Sequence, residues 1–262
     1  MTHSFLLIGQ SNAGGRGEPS EVAPIENDDG KLVVLRNGRW RKLYTPVNAD
    51  RATSGVCLAE SFAAAYRDDH PEADQIGIIP CADGGSRLDQ WMPGMLLYDH
   101  VVLQARLALR TSNIVGILWH QGESDCRQER WKTYADKFRV FSESLRRDLA
   151  LENVPLLIGG LGDYLAQRRK LSGELTDHAL HYRDMNAVLQ HLGRELENTA
   201  FVPADGLADK GDHLHFSAKS LREFGLRYYA AFKTLEDRNR IWQEKPTLAD
   251  LEGEAESSLA EL

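Results

Sequence analysis

The sequence predicts a doubly wound α/β domain, a mainly parallel five-stranded sheet with helices on both faces. Short apolar runs recur along the chain, stretches of helical period separate them, and loops rich in reactive side chains follow the runs. That alternation is the pattern of βαβ units, whose strands are buried on both faces and whose helices lay an apolar stripe on the sheet.

The first run, residues 5–8, reads Phe-Leu-Leu-Ile and stops at Gly9. Comparable short runs at 76–79, 114–118, 156–158 and 200–202 supply the other strands. Helical patterns at 58–66, 96–109, 134–149, 178–196 and 217–235 alternate with them. One segment departs from the alternation. Residues 32–35 and 40–43 flank Arg36-Asn37-Gly38-Arg39, and Asn-Gly favours a tight hairpin turn. It reads as a β-hairpin over 31–44 inserted after the first βα loop, a surface loop being the alternative. One domain is expected over 1–242. The remainder, 243–262, is acidic, carries Pro246 and lacks aromatics, and reads as an extension.

The 262 residues, 42% hydrophobic and 27% charged, suffice for a sizeable core. A net charge of -8 without any basic run disfavours nucleic acid or an anionic membrane as partner, because both need a concentrated basic footprint. Cys57, Cys81 and Cys126 form neither a disulfide framework nor a zinc motif, so a reduced, cytoplasmic setting is the simple expectation. The apolar start is too short for a secretory signal, and no run approaches the ~18 residues of a membrane helix.

Ligands of an open parallel sheet bind beyond the carboxyl ends of its strands. The loops there hold Gly9-Gln10-Ser11-Asn12, Asp83-Gly84-Gly85-Ser86 running to Trp91, Trp119-His120-Gln121-Gly122-Glu123-Ser124, and Asp212-His213-Leu214-His215-Phe216. A serine directly after a strand and among small residues lets a carbonyl approach, so Ser11 is the candidate nucleophile. His215 is the candidate base. Asp212, three residues earlier, reaches the second imidazole nitrogen if the loop turns tightly. The N–H groups of Ser11 and Gly85 and the amide of Gln121 are candidates for an oxyanion hole. The common Gly-x-Ser-x-Gly elbow is absent, since Ala13 stands at its second glycine.

These four blocks, in this order, resemble the SGNH-hydrolase superfamily, and within it the sialate O-acetylesterase and acetylxylan esterase group, carbohydrate esterase family 6. The resemblance covers roughly residues 5–232 and implies a three-layer, flavodoxin-like α/β/α fold. It also implies hydrolysis of O-acetyl esters of a small carbohydrate through an acyl-serine, with no cofactor or metal. Gln10, Arg16, Ser86 and Trp91 are the candidates for contacting the sugar. Gln121 departs from the usual asparagine of the third block. The resemblance allows either Asp212 or Glu123 as the acid partner of His215. Asp212 is favoured, because local geometry holds it near His215 whatever the sheet does. Asp125 and Asp83 read as solvent-facing loop residues. Alternatives are a lipase or thioesterase of the same superfamily and a catalytically silent carbohydrate-binding protein. His120, Glu123, Asp212, His213 and His215 also invite a metal reading, but lack metal-ligand spacings such as H-E-x-x-H.

Overall fold

The computed structural model describes residues 1–238, so the acidic extension expected over 243–262 lies outside the described residues. Its strands are β1 (Thr2–Gly9), β2 (Leu32–Arg36), β3 (Arg39–Lys42), β4 (Gln75–Pro80), β5 (Ser112–His120), β6 (Leu156–Gly159) and β7 (Thr199–Val202). Its helices are α1 (Ser11–Gly14), α2 (Leu58–Asp69), α3 (Leu96–Leu109), α4 (Tyr134–Asp148), α5 (Asp177–Glu195) and α6 (Ala218–Arg238). All five expected strands and all five expected helices are present at those positions.

The strands form one seven-stranded sheet in the order β3-β2-β4-β1-β5-β6-β7. Every pairing is parallel except that of β2 with β3. After β1 the chain builds towards β4 and β2 on one side, then crosses to β5, β6 and β7 on the other. The strand order therefore reverses at β1, and a crevice opens at its carboxyl end. Ser11 follows there.

The hairpin is real, with Asn37 and Gly38 both at positive φ (51° and 70°) as a two-residue primed turn requires. It is not an insertion beside a five-stranded sheet, because β2 pairs in parallel with β4. The physical reason lies in Leu32–Val33–Val34–Leu35, buried without alternation, as in an interior strand. β3 is the edge, and Arg39, Arg41 and Lys42 on it discourage pairing with another chain.

Helices α2 and α6 pack against each other on one face; α3, α4 and α5 cover the other. On the first face Phe5 of β1 meets Phe62, Tyr66 and Phe232 edge-on, with ring centroids 4.8, 4.8 and 5.7 Å away. On the second, Trp119 of β5 lies against Trp91, Phe138 and Phe141. Aromatic pairs of this geometry add about 0.5–1.5 kcal/mol each beyond their area. The two clusters clamp the central strands from both sides, which fixes the height at which β1 and β5 release their loops.

Gly9, the last residue of β1, has φ +135°, and a Cβ there would lie 2.0 Å from the carbonyl oxygen of His120. Neither the dihedral nor the backbone overlap tolerates a side chain. Gly9→Ala is expected to lose about 3 kcal/mol or more of stability in urea unfolding. A loss below about 1 kcal/mol would show that the turn has room the geometry denies.

Candidate active site

From Gly9 the chain turns at once into the single turn α1, with Ser11 as its first residue. The N–H groups of Ala13 and Gly14 donate to Gln10 O (3.0 and 2.9 Å), and that of Gly15 donates to Ser11 O (2.8 Å). The N–H of Ser11 belongs to the first turn, where a helix offers no internal acceptor. Ser11 is 6% exposed, at the floor of the crevice.

The loop before α6 folds around Asp212. Its Oδ1 accepts the N–H groups of Leu214 (2.9 Å) and His215 (2.8 Å), so the loop turns back on itself within three residues. That turn brings the imidazole over the carboxylate. Nδ1–H of His215 donates to Asp212 Oδ2 at 2.7 Å, and Nε2 faces Ser11 Oγ at 3.0 Å. A carboxylate at Nδ1 fixes the proton there, leaving the Nε2 lone pair to accept from the Ser11 hydroxyl. Burial by itself raises the Asp212 pKa. The hydrogen bonds from the His215 ring and from the loop N–H groups outweigh it and hold the carboxyl well below the usual range. Arg168 Nη1 donates to the Asp212 carbonyl at 3.0 Å and pins the loop from outside.

Glu123, the other candidate acid, does not touch His215. It is buried, and its Oε1 accepts from Asn12 Nδ2 at 2.6 Å. Asn12 Nδ2 also donates to Leu214 O (3.1 Å), and Asn12 Oδ1 accepts from Phe216 N–H (3.1 Å). Asn12 thus holds the backbone on both sides of His215, and Glu123 holds Asn12. Sequence reasoning places Asn12 in the first block but assigns it no task. The available signal is its place next to Ser11, within reach of the histidine loop.

The glycine turn closes the crevice opposite. Ser86 N–H donates to Asp83 O (3.3 Å), and Gly85 has φ +79°, with nothing within 4 Å of where a Cβ would stand. Gly85 is exposed at this turn, which Asp83 N–H ties to the end of β1 by donating to Gly9 O at 2.9 Å. Arg16 and Asp50 fasten this turn to the first loop. Their buried pair closes at 2.7 Å, and Asp50 Oδ2 also accepts Gly84 N–H at 2.8 Å.

Four of the residues expected to meet substrate or oxyanion are engaged elsewhere. Arg16 is buried and spent on Asp50 and on Gly15 O, so it braces loops. Ser86 is 1% exposed, with its hydroxyl donating to Asp83 O and accepting from Trp91 Nε1. Trp91 is fully buried and packs edge-on against Trp119, so no sugar reaches its face. Gln121 is fully buried as well. Its two amide protons already have three acceptors in reach, Asp125 Oδ2 (2.6 Å), Gln10 Oε1 (3.2 Å) and Ser86 O (3.2 Å). It has no proton to spare for an oxyanion.

Asp125, expected in solvent, is buried beneath this amide and accepts Leu88 N–H at 3.0 Å. Burial raises its pKa, and the bonds from Leu88 and Gln121 offset only part of the rise. Tyr134 completes the support, taking Trp119 Nε1–H (3.2 Å) and giving its own proton to Gln121 Oε1 (2.8 Å). Gln10 sits above, its Oε1 accepting from Gln121 Nε2 and from Ser124 N–H, each at 3.2 Å. The three cysteines are free and buried. Among the described residues no group of three or more His, Cys, Asp or Glu is arranged to hold a metal ion, and no helix is long and apolar enough to cross a membrane.

Residues 1–234 match the family model described as carbohydrate esterase, sialic acid-specific acetylesterase. The chain belongs to this family. The esterase is 28% identical over 254 residues to a probable carbohydrate esterase of Arabidopsis thaliana, a match covering 87% of this chain and 89% of the relative. The X-ray structure of that Arabidopsis protein is similar with a TM-score of 0.71 at 26% identity, over 88% of this chain and 98% of the other. NanS shares the fold with a TM-score of 0.71 at 20% identity, over 90% and 98% of the two chains. So does a carbohydrate acetylesterase from Xanthomonas citri, with a TM-score of 0.63 at 22% identity, over 88% of this chain and 56% of that one. Family membership makes the protein a carboxylic ester hydrolase of the carbohydrate acetylesterase kind.

Because the Asp212 pKa is depressed on folding, its stabilising contribution is present above the unfolded value of about 4 and is lost as pH falls through the folded one. Thermal midpoints of the parent and Asp212→Asn should differ at pH 7 and converge below about pH 4. A gap that stays constant down to about pH 3 would mean that the carboxylate contributes nothing to the loop.

Proposed function

We propose that this esterase removes O-acetyl groups from a small carbohydrate, an acetylated xylo-oligosaccharide, sialic acid or similar sugar, through an acyl-serine on Ser11. One observation carries the reading, the unbroken chain of hydrogen bonds from Ser11 Oγ through His215 to Asp212. It is the arrangement that activates a hydroxyl at neutral pH.

His215 Nε2 takes the Ser11 proton as Oγ attacks the acetyl carbonyl. The N–H groups of Ser11 and Gly85 hold the oxygen that gains charge. Asp212 stabilises the imidazolium and keeps the ring in register. His215 then gives its proton to the departing sugar oxygen, and water, activated by the same imidazole, frees acetate from the serine. Asp212 is the acid of this triad and Glu123 a brace, which the separate environments of the two carboxylates support. The mechanism itself requires no cofactor. A net charge of -8 without a basic run supports a small sugar rather than nucleic acid or an anionic membrane as partner. The free thiols are compatible with work in the cytoplasm on small oligosaccharides.

Ser11→Ala should abolish hydrolysis of a simple acetyl ester while the circular-dichroism spectrum is retained, and a serine-directed organophosphonate should label Ser11. An active alanine variant, or a label elsewhere, removes the serine mechanism. Asp212→Asn should lower kcat by up to about 10⁴-fold, the loss expected when an orienting acid no longer fixes the histidine tautomer, and Glu123→Gln by much less. The reverse ranking would make Glu123 the acid. Dialysis against EDTA should leave the rate unchanged, and activity restored only by zinc would replace the serine with a metal-bound water.

A further inference from the structure

We propose that the side-chain amide of Gln10, not that of Gln121, is the third donor to the oxyanion. The inference rests on the serine-esterase reading above and concerns how its charged intermediate is held.

Ser124 N–H can only donate, so the Gln10 atom facing it at 3.2 Å must be the amide oxygen. Gln121 Nε2, itself held among acceptors, comes to the same oxygen at 3.2 Å. Two donors thereby fix which way the Gln10 amide points, and Nε2 lies on the far side. Among the described residues no acceptor takes Nε2. Gln10 is 3% exposed, and Nε2 is not among the fully enclosed side-chain atoms without a partner, so the little of Gln10 that reaches solvent includes this donor. A donor that opens on the crevice and has no protein acceptor is free to meet one that enters.

The surroundings say where the acceptor arrives. Gln10 directly precedes Ser11. The residues at its amide tip join it to the opposite turn: Gln121 Nε2 also reaches Ser86 O, and Ser124 Oγ donates to Gly85 O at 3.1 Å. The amide therefore lies between the Ser11 turn and the Gly85 turn, whose N–H groups are the other two donors. Gln121, with Asp125 and Tyr134 beneath it, is a positioning residue that orients Gln10.

In the step concerned, Ser11 Oγ forms a bond to the acetyl carbon and the carbonyl π pair moves onto its oxygen. The hydroxyl proton passes to His215 Nε2. Gln10 Nε2–H donates to the new oxyanion without being transferred. On collapse the pair returns, the sugar oxygen leaves, and it takes the proton from His215.

The decisive substitution is Gln10→Glu, which keeps an oxygen for Ser124 and Gln121 but replaces the donor with a second acceptor. It should lower kcat by about 10²–10³-fold, the range for loss of one oxyanion donor, with KM little changed. In the parent protein, phosphonylation of Ser11 should move the Gln10 side-chain N–H resonance downfield in ¹H–¹⁵N spectra and leave that of Gln121 in place. A shift at Gln121 alone, or a Gln10→Glu enzyme within about threefold of the parent, overturns the proposal while the serine mechanism stands. Failure of the phosphonate to label Ser11 overturns the serine mechanism and this proposal with it.

Discussion

Asn12 carries the hydrogen bonds that fasten the histidine loop to the helix of the serine. One amide proton goes to Leu214 O, the other to Glu123, and the amide oxygen takes Phe216 N–H. A serine and a histidine supplied by loops so far apart in sequence need some rigid link, because an error of about 1 Å between them costs orders of magnitude in rate. Asn12 is one residue from Ser11, and its two loop contacts bracket His215. The link is therefore as short as the chain allows. Glu123 is buried and holds that link by accepting from Asn12 Nδ2 at 2.6 Å.

The two carboxylates of the site have been separated by environment. Asp212 lies at the crevice rim, fed by three donors, and its pKa is low. Glu123 lies inside, accepting from the Asn12 amide and facing His120 Nδ1 at 3.8 Å. Beneath the opposite turn a third, Asp125, is buried under Gln121 with its pKa raised. Only the first meets the imidazole. Carboxylates in the loops of an esterase are easily taken for reacting groups, yet two of these three hold other side chains in place. The same is true of Arg16, whose guanidinium is consumed by Asp50 before any ligand could use it.

Much of this was legible in the sequence. Short apolar runs mark the strands, because a strand covered on both faces has no polar side to hide the pattern. Asp212 and His215 were legible as a pair, because three residues suffice for the turn that joins them. The place of β2 is in principle readable too: Leu32 to Leu35 show the unbroken apolar run of an interior strand, although the Asn-Gly turn beside it is the stronger local signal. Gln121, Trp91 and Ser86 were not legible. Their types suit substrate contact as well as burial, and only three-dimensional packing decides whether an amide or an indole faces the crevice or the core. Asn12 is silent for the opposite reason, since its partners lie 111 and more than 200 residues away.

The strand order also sets when the machinery comes into being. Ser11 and His215 are 204 residues apart, and both neighbours of β1, β4 and β5, follow it in the chain. A chain emerging from the ribosome at ordinary speed makes the serine roughly 10–40 s before the histidine. For all of that interval the turn after β1 carries Ser11 without His215, and until β4 and β5 are made β1 has no parallel neighbour. A parallel sheet with its first strand at the centre cannot close early, and such long-range pairing folds slowly. On the serine mechanism proposed above, the nascent polypeptide is hydrolytically silent by topology until the segment leading into α6 is made and docks against Asn12.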